Sequence, residues 1–285
     1  MTFFDVLVLA VVQGICEMLP VSSSAHVILA AKLMGFDPTT PEMTLLLVML
    51  HTGTMLAVII YFWNSWRDRY FSSASTFWPF ARAVVVATVL TGIVGLGLMF
   101  FIEHAVLGGG HAEIEQLFGN VYIIAGGLAA AGIIIILSSR KAASVQAPVL
   151  SNAQSAWIGA VQGFCLPFRG FSRSGATIST GLLLGIDKVR SEEFSFALAV
   201  VLTPPVIAKE VYRFYKAYGS QALAGNMLHV AWPSVVGMLL SFVAALIALK
   251  WLSQWLEHGK WQLFGYYCLF ASAMVLLTSH SLNWA

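Results

Sequence analysis

The chain has 285 residues, of which 59% are hydrophobic and 10% charged, with a formal net charge of +2. A soluble domain carries about 25% charged residues, so this chain cannot cover a globular surface with polar groups and is expected to be an integral membrane protein. The small net charge supplies no basic field for nucleic acid, and no nucleic-acid partner is expected. Three scattered cysteines make neither a disulfide framework nor a metal knuckle.

The start, Met1-Thr2-Phe3-Phe4-Asp5, lacks a basic region and is not expected to be a cleaved signal peptide. A bilayer core calls for about 20 apolar residues of helix. Residues 4–35 are apolar but broken by Pro20 and Ser22-Ser23-Ser24. Three spans are expected at 44–63, 83–102 and 118–137. Residues 153–186 are broken again, by Leu166-Pro167-Phe168-Arg169-Gly170-Phe171-Ser172-Arg173-Ser174-Gly175. Three more spans are expected at 192–211, 230–249 and 261–279. Each arm of the broken regions has roughly 12–17 residues, about 18–25 Å of helix, too short to span. Irregular backbone at membrane depth persists only where it is buried in protein or lines a wet cavity. The expected fold is therefore all-α: six transmembrane helices plus two re-entrant hairpins with polar tips deep in the membrane.

The broken regions resemble each other. Val12-Gln13-Gly14-Ile15-Cys16 matches Val161-Gln162-Gly163-Phe164-Cys165. Gly35-Phe36-Asp37 matches Gly185-Ile186-Asp187 after a one-residue slip, which lays Ser22-Ser23-Ser24 over Ser172-Arg173-Ser174. The chain reads as one membrane domain built from two repeats, near 1–140 and 150–285. A hairpin and three spans per repeat make the second copy enter the membrane upside down, and such inverted repeats hold their site near the midplane. With the 64–82 loop cytoplasmic, that side collects Arg67, Arg69, Arg82, Arg140, Lys141, Lys188, Arg190, Lys250 and Lys260. The other side keeps Lys32, Lys209, Arg213 and Lys216, so the Lys/Arg bias supports this orientation. Both termini and the first hairpin then face outward.

Gln13 and Glu17 are four apart and share a helix face. Pro20 ends that helix, and Ser22, Ser23 and Ser24 sit where a second helix begins, with free N–H groups and the positive dipole end making an anion site. His26 follows one turn in. Ser172, Arg173 and Ser174 occupy the matching start on the other hairpin, where Arg173 adds a permanent charge and a forked donor suited to phosphate. Two helix starts, an arginine and several hydroxyls point to a highly charged anion, and in a membrane to a lipid phosphate. A carboxylate would repel that ligand unless it holds a bridging divalent cation or acts as a base. Histidine beside serine suits proton transfer or nucleophilic attack.

Other polar or small residues carry plainer expectations. His51 is read as a hydrogen-bonded helix–helix contact, and Cys16 and Cys165 as packing residues. Pro204-Pro205 should kink a span. Gly92, Gly95, Gly97, Gly126 and Gly127 should mark close helix packing. His104, His111, Glu113 and Glu115 read as a solvated outward loop.

Gln13-x-x-x-Glu17, Leu19-Pro20-Val21-Ser22-Ser23-Ser24-Ala25-His26 and Gly170-Phe171-Ser172-Arg173-Ser174-Gly175-Ala176-Thr177 together resemble the two signatures of the bacterial undecaprenyl pyrophosphate phosphatase family, the BacA-type bacitracin-resistance proteins. The resemblance runs from about residue 5 to 275. It implies a multi-pass inner-membrane enzyme that removes the terminal phosphate of a C55 isoprenyl pyrophosphate; with the orientation above, an outward-facing site would recycle the cell-wall lipid carrier. Carried over position by position, it implies Glu17, Ser23, His26 and Arg173 as catalytic residues, with Gln13 on a position that is Glu or Gln in the family; Gln13, Ser22, Ser24, Gly170, Ser172, Ser174 and Thr177 are expected to bind substrate. It also implies a divalent cation (Mg²⁺, with Ca²⁺ or Mn²⁺ as alternatives), expected here on Glu17 and Gln13, and a homodimer. Whether Ser23, His26 or water attacks phosphorus stays open. The family usually has proline directly before the glycine of its second motif; Arg169 stands there in this chain, with Pro167 two residues earlier. The rival class is a polyprenyl-phosphate flippase, which would need the same anion site but not His26 beside Ser23 and a carboxylate.

Overall fold

A computed structural model of the chain describes residues 1–37, 40–106, 120–140, 150–168, 170–218 and 227–281. Arg169, Lys141, His111, Glu113 and Glu115 lie outside the described residues, as do the side chains of Lys209 and Arg213. The described elements are helical: α1 (Phe3–Met18), α2 (Ser23–Leu33), α3 (Pro41–Tyr70), α4 (Ala74–Phe101) with a π turn at Ile102–Val106, α5 (Val121–Ser139), α6 (Asn152–Cys165), α7 (Arg173–Leu183), α8 (Lys188–Tyr218), α9 (Met227–Glu257) and α10 (Trp261–Ser281).

Both broken regions are pairs of short helices, as the interrupted apolar runs require. The helix α1 has 16 residues, α2 has 11, α6 has 14 and α7 has 11. At about 1.5 Å per residue they reach only about 16–24 Å. Proline disfavours helix in the residue before it, and α1 stops at Met18, just short of Pro20. The second member of each pair ends alike. Gly35 and Gly185 adopt φ of 79° and 81°. Phe36 N–H reaches Ala31 O at 2.9 Å and Ile186 N–H reaches Gly181 O at 3.0 Å, while Gly35 and Gly185 N–H bond Lys32 O and Leu182 O at 3.0 and 3.1 Å. These are two copies of one Schellman cap, the repeat written in hydrogen bonds.

Five helical stretches among the described residues are long and apolar enough to cross a membrane: Glu42–Tyr70, Ala74–Ala105, Val121–Ser139, Trp232–Glu257 and Trp261–Thr278. The expected span 192–211 lies inside α8, which is not among them; its first turns carry Lys188, Arg190, Glu192 and Glu193. The long helices run past the expected bounds. The helix α3 continues through its polar end to Tyr70 and α9 to Glu257, because apolar windows mark hydrocarbon depth and not where helix stops. Pro79, Pro204, Pro205 and Pro233 all lie inside helices.

The described chain falls into two compact units that do not follow the sequence halves: Met1–Met18, Ser23–Trp63 and Ala199–Leu252 form one, and Leu19–Ser22, Asn64–Leu198 and Ser253–Ala285 the other. In the first unit, Val6, Leu9, Ala10, Val27, Ala31, Met43, Leu46 and Leu50 form a buried core. There α1 lies close on α9, since a Cβ on Gly14 would stand 2.6 Å from Ala244 Cβ and 2.7 Å from Ser241 O. In the second unit α6 lies equally close on α4: a Cβ on Gly159 would stand 2.2 Å from Ala87 O, and one on Gly163 2.7 Å from Thr91 O. Each hairpin's first helix thus packs on the second long helix of the other repeat. The helices α5 and α10 meet at Gly132 and Gly265, where a Cβ on either would come within 2.8 Å of the other's carbonyl. Gly95 is close-packed as expected, 2.5 Å from Leu166 Cδ1 by the same measure, but Gly92, Gly97 and Gly126 have open space beside them. Spacing alone cannot tell a packed glycine from one facing outward.

One end of the second unit is tied by buried acids. Glu193 receives Tyr70 Oη–H at 3.0 Å and the Ser65 hydroxyl, and pairs with Arg69 at 3.1 Å. Ser253 donates to Glu192 at 2.7 Å, Lys188 Nζ donates to Glu257 O at 3.5 Å, and Trp261 Nε1–H donates to Ser138 at 3.0 Å. The ends of α3, α5 and α9 and the starts of α8 and α10 therefore gather together. That places Arg69, Arg140, Lys188, Arg190 and Lys260, all expected on one side, at the same end.

Candidate active site

In the first unit a polar cluster forms where α1, α2 and α3 meet. Glu17 is the last residue but one of α1 and Ser23 is the first residue of α2. The Ser23 hydroxyl donates to Glu17 Oε2 at 2.6 Å. A hydroxyl on a carboxylate at this length is a strong charge-assisted bond, and it sets a base beside a nucleophile. Gln13, one turn before Glu17 and 1% exposed, donates from Nε2 to the same Oε2 at 3.1 Å. The shared face inferred from the four-residue spacing is real, and it is buried.

The residue that the sequence reading passed over is His51, on α3. Its Nδ1 stands 2.9 Å from Gln13 Nε2 and 3.4 Å from Glu17 Oε2. It is indeed a hydrogen-bonded helix–helix contact, but its partners are two of the candidate catalytic and metal-binding residues. The signal was available: an ionisable residue within an apolar span is a functional candidate by default. Ser24 and His26 sit on the first turn of α2 and are half-buried. With Ser23 at the first helical position, they stand at the end where backbone N–H groups are unsatisfied.

The turn between α1 and α2 belongs to the second unit. Ser22 adopts φ of 69°, a left-handed conformation unusual for serine, and is buried at 6% exposure. Ser174 Oγ donates to Leu19 O at 3.5 Å and Cys268 Sγ to Pro20 O at 3.3 Å. The start of α7 and the body of α10 thus hold Leu19 and Pro20 in place.

The second motif opens α7. Ser172 is its N-cap, accepting from Gly175 N–H at 3.2 Å, and Arg173 is the first helical residue, half-buried. Ser23 and Arg173, laid over each other by the repeat, therefore hold the same position on their helices. Ser174 is buried with its Oγ 3.4 Å from that of Ser172. The Thr177 hydroxyl turns back to Arg173 O at 2.8 Å and lies 2.6 Å from Ser195 Oγ. Gly170 has φ of 96°, and a Cβ there would stand 2.2 Å from Ile124 O. Only glycine fits that turn.

The described residues hold no group of three or more His, Cys, Asp or Glu suited to a metal. What Glu17 and Gln13 offer is oxygen: one carboxylate and one amide carbonyl. That donor set fits Mg²⁺, which binds through one or two carboxylates and takes its remaining ligands from water and substrate phosphate. Elsewhere the cysteines behave as small packing residues: Cys165 and Cys268 are buried and Cys16 is half-buried, all as free thiols. His104 stacks on Phe100 with ring centroids 4.0 Å apart, in the π turn and not in a loop.

Comparison with known proteins places the sequence in a family. The chain is 58% identical over 282 residues to undecaprenyl-diphosphatase 2 of Acinetobacter baylyi, covering 97% of this chain and 98% of the relative. It is 32% identical to an undecaprenyl-diphosphatase of Desulfosudis oleivorans, over 94% of this chain and 96% of that one. The undecaprenyl-diphosphatase of Bdellovibrio bacteriovorus is 30% identical over 99% of both chains. The sequence model of bacitracin resistance protein BacA matches residues 6–274, and the chain belongs to that family.

Proposed function

We propose that this protein hydrolyses the terminal phosphate of undecaprenyl pyrophosphate, releasing inorganic phosphate and undecaprenyl phosphate. The Ser23–Glu17 hydrogen bond carries the reading together with relatives named for that activity. A flippase has no need of a hydroxyl held on a half-buried carboxylate. Glu17 takes the proton from Ser23 Oγ as that oxygen attacks the terminal phosphorus, and the lipid phosphate leaves. Water then cleaves the seryl phosphate, with His26 exchanging the proton. The N–H groups opening α2 neutralise charge developing on the phosphoryl oxygens, and Arg173 keeps the phosphate-stabilising role that the family resemblance implies for it. Glu17 and Gln13 would hold a divalent cation, which would supply positive charge for the diphosphate.

We further assign α8 as the sixth span and the pairs α1–α2 and α6–α7 as re-entrant hairpins in an inverted repeat. Their lengths, below a bilayer's thickness, and their twin caps support this. The Lys/Arg-rich end of the second unit faces the cytoplasm, the first hairpin opens outward, and the enzyme sits in the bacterial inner membrane, as a homodimer.

The test is phosphate release from a C15 prenyl pyrophosphate by purified protein in detergent, beside Arg173→Ala and His26→Ala. Removing one preorganised charge-stabilising donor costs about 10²–10³ in rate, so Arg173→Ala should fall at least that far. EDTA should abolish release and added Mg²⁺ restore it. Wild-type protein that binds the lipid with Mg²⁺, Mn²⁺ or Ca²⁺ present but releases nothing would sink the phosphatase reading and favour the flippase.

A further inference from the structure

Gln13 and His51 together set an orientation that neither residue could hold alone. A carboxylate only accepts hydrogen bonds, and an amide presents NH₂ at one end and C=O at the other. The Gln13 atom facing Glu17 Oε2 at 3.1 Å is therefore Nε2. The same Nε2 lies 2.9 Å from His51 Nδ1, so Nδ1 must be the accepting nitrogen and the imidazole proton resides on Nε2. Two acceptors, one on α1 and one on α3, thus hold both N–H bonds of the Gln13 amide. The carbonyl Oε1 is left as the end engaged by neither.

We propose that His51 is a positioning residue: its Nδ1 lone pair, with Glu17, locks the Gln13 amide so that Oε1 is presented as an oxygen ligand to the divalent cation. The proposal rests on the phosphatase reading for the purpose of the lock, but not for its chemistry. Gln13 is 1% exposed, so in the absence of His51 its buried amide would seek another acceptor, at the cost a buried unsatisfied donor carries. Flipping the amide would satisfy nothing, because it would set Oε1 against the Glu17 carboxylate. Groups that orient a metal's ligands typically change its affinity by about 10–100-fold when removed.

The experiment compares His51→Gln, which keeps an acceptor for the Gln13 amide, with His51→Leu and His51→Ala, which do not. Mn²⁺ binding to the detergent-purified protein is titrated by electron paramagnetic resonance, and the Mg²⁺ concentration for half-maximal phosphate release is measured alongside. We expect His51→Gln to stay within about threefold of wild type, and the Leu and Ala variants to bind Mn²⁺ about tenfold more weakly. In a Gln13→Ala background, His51→Leu should bring no further loss, since the residue acts through Gln13. The inference is overturned if His51→Gln is impaired as deeply as His51→Leu, if His51→Leu and His51→Ala bind Mn²⁺ like wild type, or if the two losses add in the double variant. Wild-type protein that releases no phosphate overturns the phosphatase reading instead, and the Mn²⁺ titration still decides the role of His51.

Discussion

The residues of the candidate site differ in how replaceable they are. Arg173 carries a planar fork at the first position of α7, so Arg173→Lys keeps the charge but loses bidentate geometry. Its phosphate release should drop about 10²-fold with the melting temperature held; full activity in Arg173→Lys would reduce the arginine to a point charge. Ser23→Ala removes the hydroxyl on Glu17 Oε2 and should abolish release, whereas Ser172→Ala removes the cap on Gly175 N–H and should cost about 1 kcal/mol of stability. Chemical and structural serines, indistinguishable by type, separate on that comparison of rate against melting. His26 and Glu17 were readable from spacing because both flank a break. His51 showed itself only as an ionisable residue in an apolar span; which residues it serves was not readable, because its partners lie 38 and 34 positions away.

At the scale of elements, small residues decide how closely helices approach. Gly159 lets α6 rest on the Ala87 backbone of α4, with the carbonyl 2.2 Å from where a Cβ would be. Backbone cannot swing aside as a side chain can, so Gly159→Ala should push the two helices apart and cost about 1–3 kcal/mol, read as an earlier melt in detergent. Gly126→Ala, with open space around it, should melt unchanged or later, because alanine stabilises helix interiors by about 0.5–1 kcal/mol over glycine. Equal effects at both positions would refute the packing argument. The short helices follow from the chain itself: Pro20 and the glycines with positive φ end them whatever their surroundings.

The whole molecule is organised by exchange between repeats. The first hairpin's leading helix packs on α9 and the second's on α4, so neither sequence half is a packing unit on its own. The inverted topology is checked by labelling. In a background with Cys16, Cys165 and Cys268 replaced by alanine, Asp37→Cys, after the first hairpin, should react with a membrane-impermeant maleimide on intact cells. Val189→Cys, after the second and 37% exposed, should react only once the membrane is opened. Labelling of both from the same side would refute the inversion.

The sequence by itself determined the membrane class, the two breaks, the duplicated Val-Gln-Gly motif and the helix face shared by Gln13 and Glu17. Each of these is local or compositional: hydropathy, proline and glycine chemistry, and the four-residue turn act within a few residues. Only the tertiary structure decided that Ser23 hydrogen-bonds Glu17, that His51 closes on Gln13, which glycines sit at helix contacts, and that the acids of α8 tie one end of the second unit. Those depend on which helix faces are buried against which. Nearly every face of this chain is apolar, so hydrophobic periodicity carries no direction, and close packing with buried hydrogen-bond satisfaction made the choice.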